Sequence, residues 1–196
     1  MKKIGLSAIL LILLSAGNAN AALINFTGNI QYHNDVIYTY FTLNNDATDV
    51  RVWTDSYQNG VNFDPVTALW DASGNLIGEN DDNASINAAT QTRYDSGLTL
   101  PTLAAGDYIF TVATYDNLAL GSTLSDGFAF DSETPVDLAN WCQPSSHCNM
   151  GTFWSVWLDG VDSASNPNSS VPEPAAILLL GLGLAAVGVS RRKKAF

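Results

Sequence analysis

Short runs of alternating apolar and polar residues recur along the middle of the chain, and clusters of Asn, Asp, Gly and Pro separate them. A period of two places successive side chains on opposite faces of an extended strand. Residues 36–43 (VIYTYFTL) are dense in β-branched and aromatic types and predict a strand closed by the turn Asn44-Asn45-Asp46. Residues 49–55 (DVRVWTD) alternate, with Val50, Val52 and Thr54 on one face and Arg51 and Trp53 on the other. Residues 66–71 (VTALWD) predict a further strand, and the tight break Ala72-Ser73-Gly74-Asn75 predicts a hairpin into 76–78. Strands are also expected at 98–100, at 108–115 (YIFTVATY) and at 153–158 (FWSVWL). No long 3.6-residue period occurs here, so the reading is all-β: an antiparallel, jelly-roll-like β-sandwich, with a barrel as the alternative.

The two ends carry a different pattern. Lys2 and Lys3 precede an apolar run at 4–14, and Ala19-Asn20-Ala21 supplies small residues around a cleavage point. This layout is that of a secretory signal peptide over 1–21, an export signal. At the other end, Ala175 to Ser190 is a stretch of 16 residues without a charge. As a helix it is roughly 24 Å long, short of a hydrocarbon core of about 30 Å but close enough to span with snorkelling flanks. Arg191, Arg192, Lys193 and Lys194 follow, and the positive-inside rule keeps them cytoplasmic. Both ends therefore predict the same topology, with the domain outside and the basic tail inside. Residues 22–163 are left as a single domain, and the polar stretch up to 170 reads as a linker.

Charge sharpens the picture. Six of the 8 basic residues lie in the two ends, leaving Arg51 and Arg93; of the 19 acidic residues only Glu173 lies outside, leaving 18. The exported part thus carries two positive and 18 negative groups, a formal −16. Such a field repels nucleic acid and anionic membrane surfaces, and it is compatible with divalent cations, basic partners and plain solubility. Cys142 and Cys148 are the only cysteines, and outside the cytoplasm they are expected to form a disulfide. His147 between them invites a zinc reading, but a fourth ligand and paired spacing are missing.

Two stretches resemble known families. Val171-Pro172-Glu173-Pro174, the apolar run and Arg191-Arg192-Lys193-Lys194 resemble the PEP-CTERM sorting signal of exported bacterial proteins. That resemblance implies an exosortase as processing partner and removal of the tail near Pro-Glu-Pro. It further implies transient anchoring in the inner membrane of a Gram-negative, polysaccharide-producing bacterium. Residues 35–117, with Phe63-Asp64-Pro65-Val66, Leu69-Trp70-Asp71-Ala72-Ser73-Gly74-Asn75-Leu76, Glu79-Asn80-Asp81-Asp82 and Leu103-Ala104-Ala105-Gly106-Asp107-Tyr108, resemble the bacterial pre-peptidase C-terminal sandwich. Domains of that kind are usually non-catalytic modules.

Among candidate chemistries, Asp71, Asn75, Glu79, Asn80, Asp81 and Asp82 form the densest oxygen-donor set. Hard oxygen ligands suit calcium, although the spacing is not that of an EF-hand and the same residues are turn formers. The expected calcium ligands are Asp71, Asn75, Glu79, Asp81 and Asp82. Carboxylate pairs also admit a glycosidase reading, but no nucleophile elbow or metalloprotease motif is present, and His33 and His147 are the only histidines. Trp154 and Trp157 lie on opposite faces of their strand, and Trp53 and Trp141 are the expected surface tryptophans for stacking on sugar. The sequence therefore reads as an exported non-catalytic surface or matrix protein that binds polysaccharide or calcium. A secreted carbohydrate hydrolase and a surface-layer structural protein are the alternatives.

Overall fold

A computed structural model describes residues 23–144 and 147–167. The predicted signal peptide, the Pro-Glu-Pro motif, the apolar helix at 175–190 and the basic tail all lie outside these residues. Among the described residues no helix is long and apolar enough to cross a membrane.

Among the described residues, nine strands form two antiparallel sheets. They are β1 (Ile24–Asn29), β2 (Ile37–Leu43), β3 (Ala47–Thr54), β4 (Pro65–Asp71), β5 (Leu76–Asn80), β6 (Gly97–Leu103), β7 (Gly106–Thr114), β8 (Phe153–Asp159) and β9 (Ser163–Ser165). One sheet has the order β1-β8-β3-β6 and the other β5-β4-β7-β2-β9. The first eight strands thus interleave between two sheets as in a double Greek key, the arrangement of a jelly roll.

The alternation predicted for β2 is observed: Ile37, Thr39, Phe41 and Leu43 point inward, while Tyr38, Tyr40 and Thr42 are half-buried or exposed. Their inward neighbours include Phe110 and Val112 of β7, Val50 and Val52 of β3, and Trp154 of β8, all of them buried. Each large apolar side chain fully removed from water contributes about 1.5–3 kcal/mol, and this shared core holds the sheets face to face.

β4 departs from alternation, since every residue from Pro65 to Trp70 is buried. The cause is the long connection between β7 and β8, which covers the outer face of the second sheet. Phe128 of that connection meets Trp70 edge to face, with centroids 6.2 Å apart. The indole N–H of Trp70 donates to Thr111 Oγ1 of β7 at 3.0 Å, which satisfies the polar handle of a fully buried ring.

One strand was not anticipated, and two expectations need correction. Residues 24–29 form a strand, although Asn and Gly interrupt their apolar pattern. Gly28 there accommodates Trp154: a Cβ at this position would lie 2.6 Å from the indole. The expected linker begins too early, because Ser163–Ser165 pair with β2 and Asn166 is buried, donating from Nδ2 to Thr39 Oγ1 at 2.9 Å. Trp53 does lie on the outer face of its sheet, yet it is only 1% exposed. It is stacked on Trp157 of β8, with centroids 6.1 Å apart, and the Arg51 guanidinium lies 5.7 Å from its ring centroid. Trp141 is half-buried against His33 and Phe130. Neither of the expected tryptophans is an open platform for a sugar ring.

Candidate functional site

The β4–β5 hairpin divides the expected oxygen-donor set between its two ends. At the turn, Asp71 Oδ1 accepts from the backbone N–H groups of Ser73 and Asn75, both at 2.9 Å. Asp71 Oδ2 accepts from Asn75 Nδ2 at 2.8 Å. These bonds hold the Asp71 carboxyl below its ordinary range, with the Asn75 side chain as the largest cause. The two residues build the turn, as short polar side chains commonly do. Glu79 Oε1 accepts from the backbone N–H of Ala119 at 2.8 Å and so ties β5 to the covering connection. Asn80 Oδ1 accepts from Ser96 Oγ at 3.1 Å.

At the opposite end of the hairpin, Asp81 and Asp82 follow the last residue of β5, and Asp64 precedes the first residue of β4. The antiparallel register, with Thr67 opposite Asn80, brings these chain ends side by side. One carboxylate oxygen from each of Asp64, Asp81 and Asp82 lies within 4.8 Å of the others. With Tyr94 and Tyr115 the three line a small cavity of about 170 Å³. Asp64 is a residue that the spacing along the sequence did not single out. Counting the hairpin register back from its turn would have paired it with the Asp81-Asp82 end.

Burial grades across the site: Asp64 is 5% exposed, Asp81 is half-buried and Asp82 is exposed. Burial pushes the Asp64 carboxyl up to about 7; the bond from Gln143 opposes this, and repulsion from Asp82, Asp81 and Asp95 adds to it. Burial also pushes Asp81 up to about 6, with Asp82, Asp116 and Glu79 adding to the rise. Asp82 is raised by burial, and the Arg93 charge counteracts that. Buried oxygens Oδ1 of Asp64 and Oδ1 of Asp81 have no hydrogen-bond donor among the described residues. Such groups are uncommon in folded proteins and cost free energy unless an ion, a proton or a water meets them.

Hydrogen bonds and ring packing tie the walls of the cavity together. Asp95 braces the loop between β5 and β6: its carboxylate accepts from the backbone N–H of Tyr57 at 2.9 Å and of Thr92 at 2.7 Å. Tyr94, the residue before it, packs edge to face on Tyr57 and His147. The disulfide between Cys142 and Cys148 closes the adjoining loop. From that loop Gln143 Nε2 donates to Asp64 Oδ2 at 3.2 Å. Both histidines have polar partners. His33 is buried, with Nε2 on Glu133 Oε2 at 3.0 Å and Nδ1 accepting from the Val136 N–H at 3.2 Å. His147 Nδ1 lies 3.2 Å from Gln143 Nε2.

Three oxygens that converge on one small space could hold a hard cation.

Comparison with known proteins places one function-bearing segment. Residues 170–193 match the PEP-CTERM protein-sorting motif. That motif marks a bacterial protein exported and sorted to the cell surface by an exosortase. No curated protein matches the chain.

Proposed function

We propose that the chain is a non-catalytic surface or extracellular-matrix protein: a secreted acidic sandwich that is held at the inner membrane by its apolar tail and released by exosortase near Pro172-Glu173-Pro174. The match at 170–193 is the observation that carries the sorting and surface location in this reading. The signal-peptide pattern at 1–21 and the lysine-free composition of the domain support the same route. So does the disulfide, whose two cysteines are both exposed and would be reduced in a cytosolic protein. The likeness of 35–117 to the pre-peptidase C-terminal sandwich favours a module that accompanies or displays, rather than one that catalyses. We favour this over a carbohydrate hydrolase because the raised carboxylates crowd together instead of flanking a cleft. Polysaccharide is a weaker candidate ligand, since Trp53, Trp70 and Trp154 are all buried.

Replacement of Pro172, Glu173 and Pro174 by alanine in the native host tests the reading. The unaltered protein is expected at the surface or in the medium, and the variant in the inner-membrane fraction. The same distribution for both would overturn it.

A further inference from the structure

The cavity at the open end of the β4–β5 hairpin has features that a solvated acidic surface lacks. Its deepest member, Asp64, is 5% exposed and helps to line the cavity, and its Oδ1 is buried with no donor among the described residues. Oδ1 of Asp81 is also buried without a donor. Asp82 approaches from the solvent side, and one carboxylate oxygen of each of the three residues lies within 4.8 Å of the others. No lysine exists in the exported part to neutralise them, and the Arg93 guanidinium lies 4.7 Å from the Tyr94 ring centroid. An oxygen-only donor set, graded from buried to exposed, can accept a cation from solvent and strip part of its water.

We propose that Asp64, Asp81 and Asp82 form a binding site for one calcium ion, with Asp64 as its innermost ligand. Carbonyl oxygens or water complete a shell of about six to eight oxygens. The expected ligands Asp71, Asn75 and Glu79 take no part, because their oxygens build the turn and anchor the β7–β8 connection. Bound calcium would tie the start of β4 to the end of β5 and to the loop that Asp95 braces, so its role is to stiffen one end of the sandwich. An affinity near 10⁻⁴ M, typical of extracellular modules, would keep the site filled outside the cell and empty before export. The site does not depend on the sorting route, and its test is separate from that of the tail.

The test uses the full-length chain, exported with its disulfide formed and purified in mild detergent. After removal of cations with a chelator, calcium chloride at 10 mM is expected to raise Tm by about 5–10 °C. Terbium, a calcium substitute, is expected to luminesce on excitation of nearby aromatics, since Tyr94 and Tyr115 line the site. Asp81→Asn is expected to abolish both signals, and Asp71→Asn to keep both. Asp64→Asn is less informative if it misfolds, whereas Asp81 is half-buried and its substitution relieves repulsion. An unchanged melt in calcium, or equal signals from Asp81→Asn and the unaltered chain, would overturn the proposal. A shift lost in Asp71→Asn but kept in Asp81→Asn would do the same. An equal shift with magnesium would overturn the assignment to calcium.

Discussion

Gln143 donates from Nε2 to Asp64 Oδ2 across 3.2 Å, joining residues 79 apart in sequence and linking the disulfide loop to the floor of the carboxylate cavity. The Cys142–Cys148 bridge closes a short loop, so in the chain-entropy account it contributes about 2 kcal/mol by restricting the unfolded chain. It also fixes the place from which Gln143 reaches Asp64. Replacing both cysteines by serine is therefore expected to lower unfolding stability by about 2 kcal/mol in urea titrations. The same variant should bind terbium more weakly.

The raised carboxyls fix the sign of a pH effect in cation-free protein. Asp64, at about 7, and Asp81, at about 6, hold protons in the folded state that the unfolded chain has already released near 3.8. Their contribution to stability is fully present below the unfolded value and is lost as pH rises through 6 and 7. In the presence of a chelator, thermal melts should show Tm falling from pH 5 to pH 8. Asp64→Asn should flatten that slope. Asp71 acts in the opposite sense, because its lowered carboxyl favours the fold above the unfolded value and loses this as the acid limit is approached.

Gly97 pairs with Trp53 across the β3–β6 ladder and has φ of +154°. A Cβ there would stand 2.5 Å from the Val52 carbonyl oxygen and 2.6 Å from Trp53 Cα. The obstacle is backbone, which cannot rotate away. Gly97→Ala is expected to cost about 2–3 kcal/mol in urea unfolding, and the emission of Trp53 should shift toward longer wavelength as its packing loosens.

Asn166 sits in the stretch that composition assigns to a linker, yet it is buried and donates to Thr39 Oγ1 at 2.9 Å. Asn166→Ala should destabilise the domain by about 1–2 kcal/mol, since Thr39 is left with a buried hydroxyl that has lost a donor. A flexible linker would show no loss in the same titration.

The strands with strong side-chain patterns were legible in the sequence. Those at 36–43, 49–55, 66–71, 108–115 and 153–158 all have ends within two residues of observed elements, and the Asp71–Asn75 turn was marked by its own chemistry. β1 and β9 were not legible, because Ile24–Asn29 and Ser163–Ser165 are strands through their partners β8 and β2 rather than through their composition. The facing of Trp53 followed from alternation, but its burial did not, since a period of two cannot say what lies over an outer face. The acidic site was half legible. Asp81 and Asp82 stand out as a pair, whereas Asp64 joins them only through the register of a hairpin, and Asp71 and Asn75 are drawn to the other end by the same register. The covering connection between β7 and β8, held by short turns and 3₁₀ segments, has no periodicity from which to read it.

Mass spectrometry of the mature protein from its native host tests the central claim of exosortase sorting most directly. The account predicts a chain that starts near Ala22, ends near Pro172-Glu173-Pro174, keeps the Cys142–Cys148 bridge and is found at the surface or in the medium. A chain of all 196 residues with both ends intact and both thiols free, recovered from the cytosol, would contradict it.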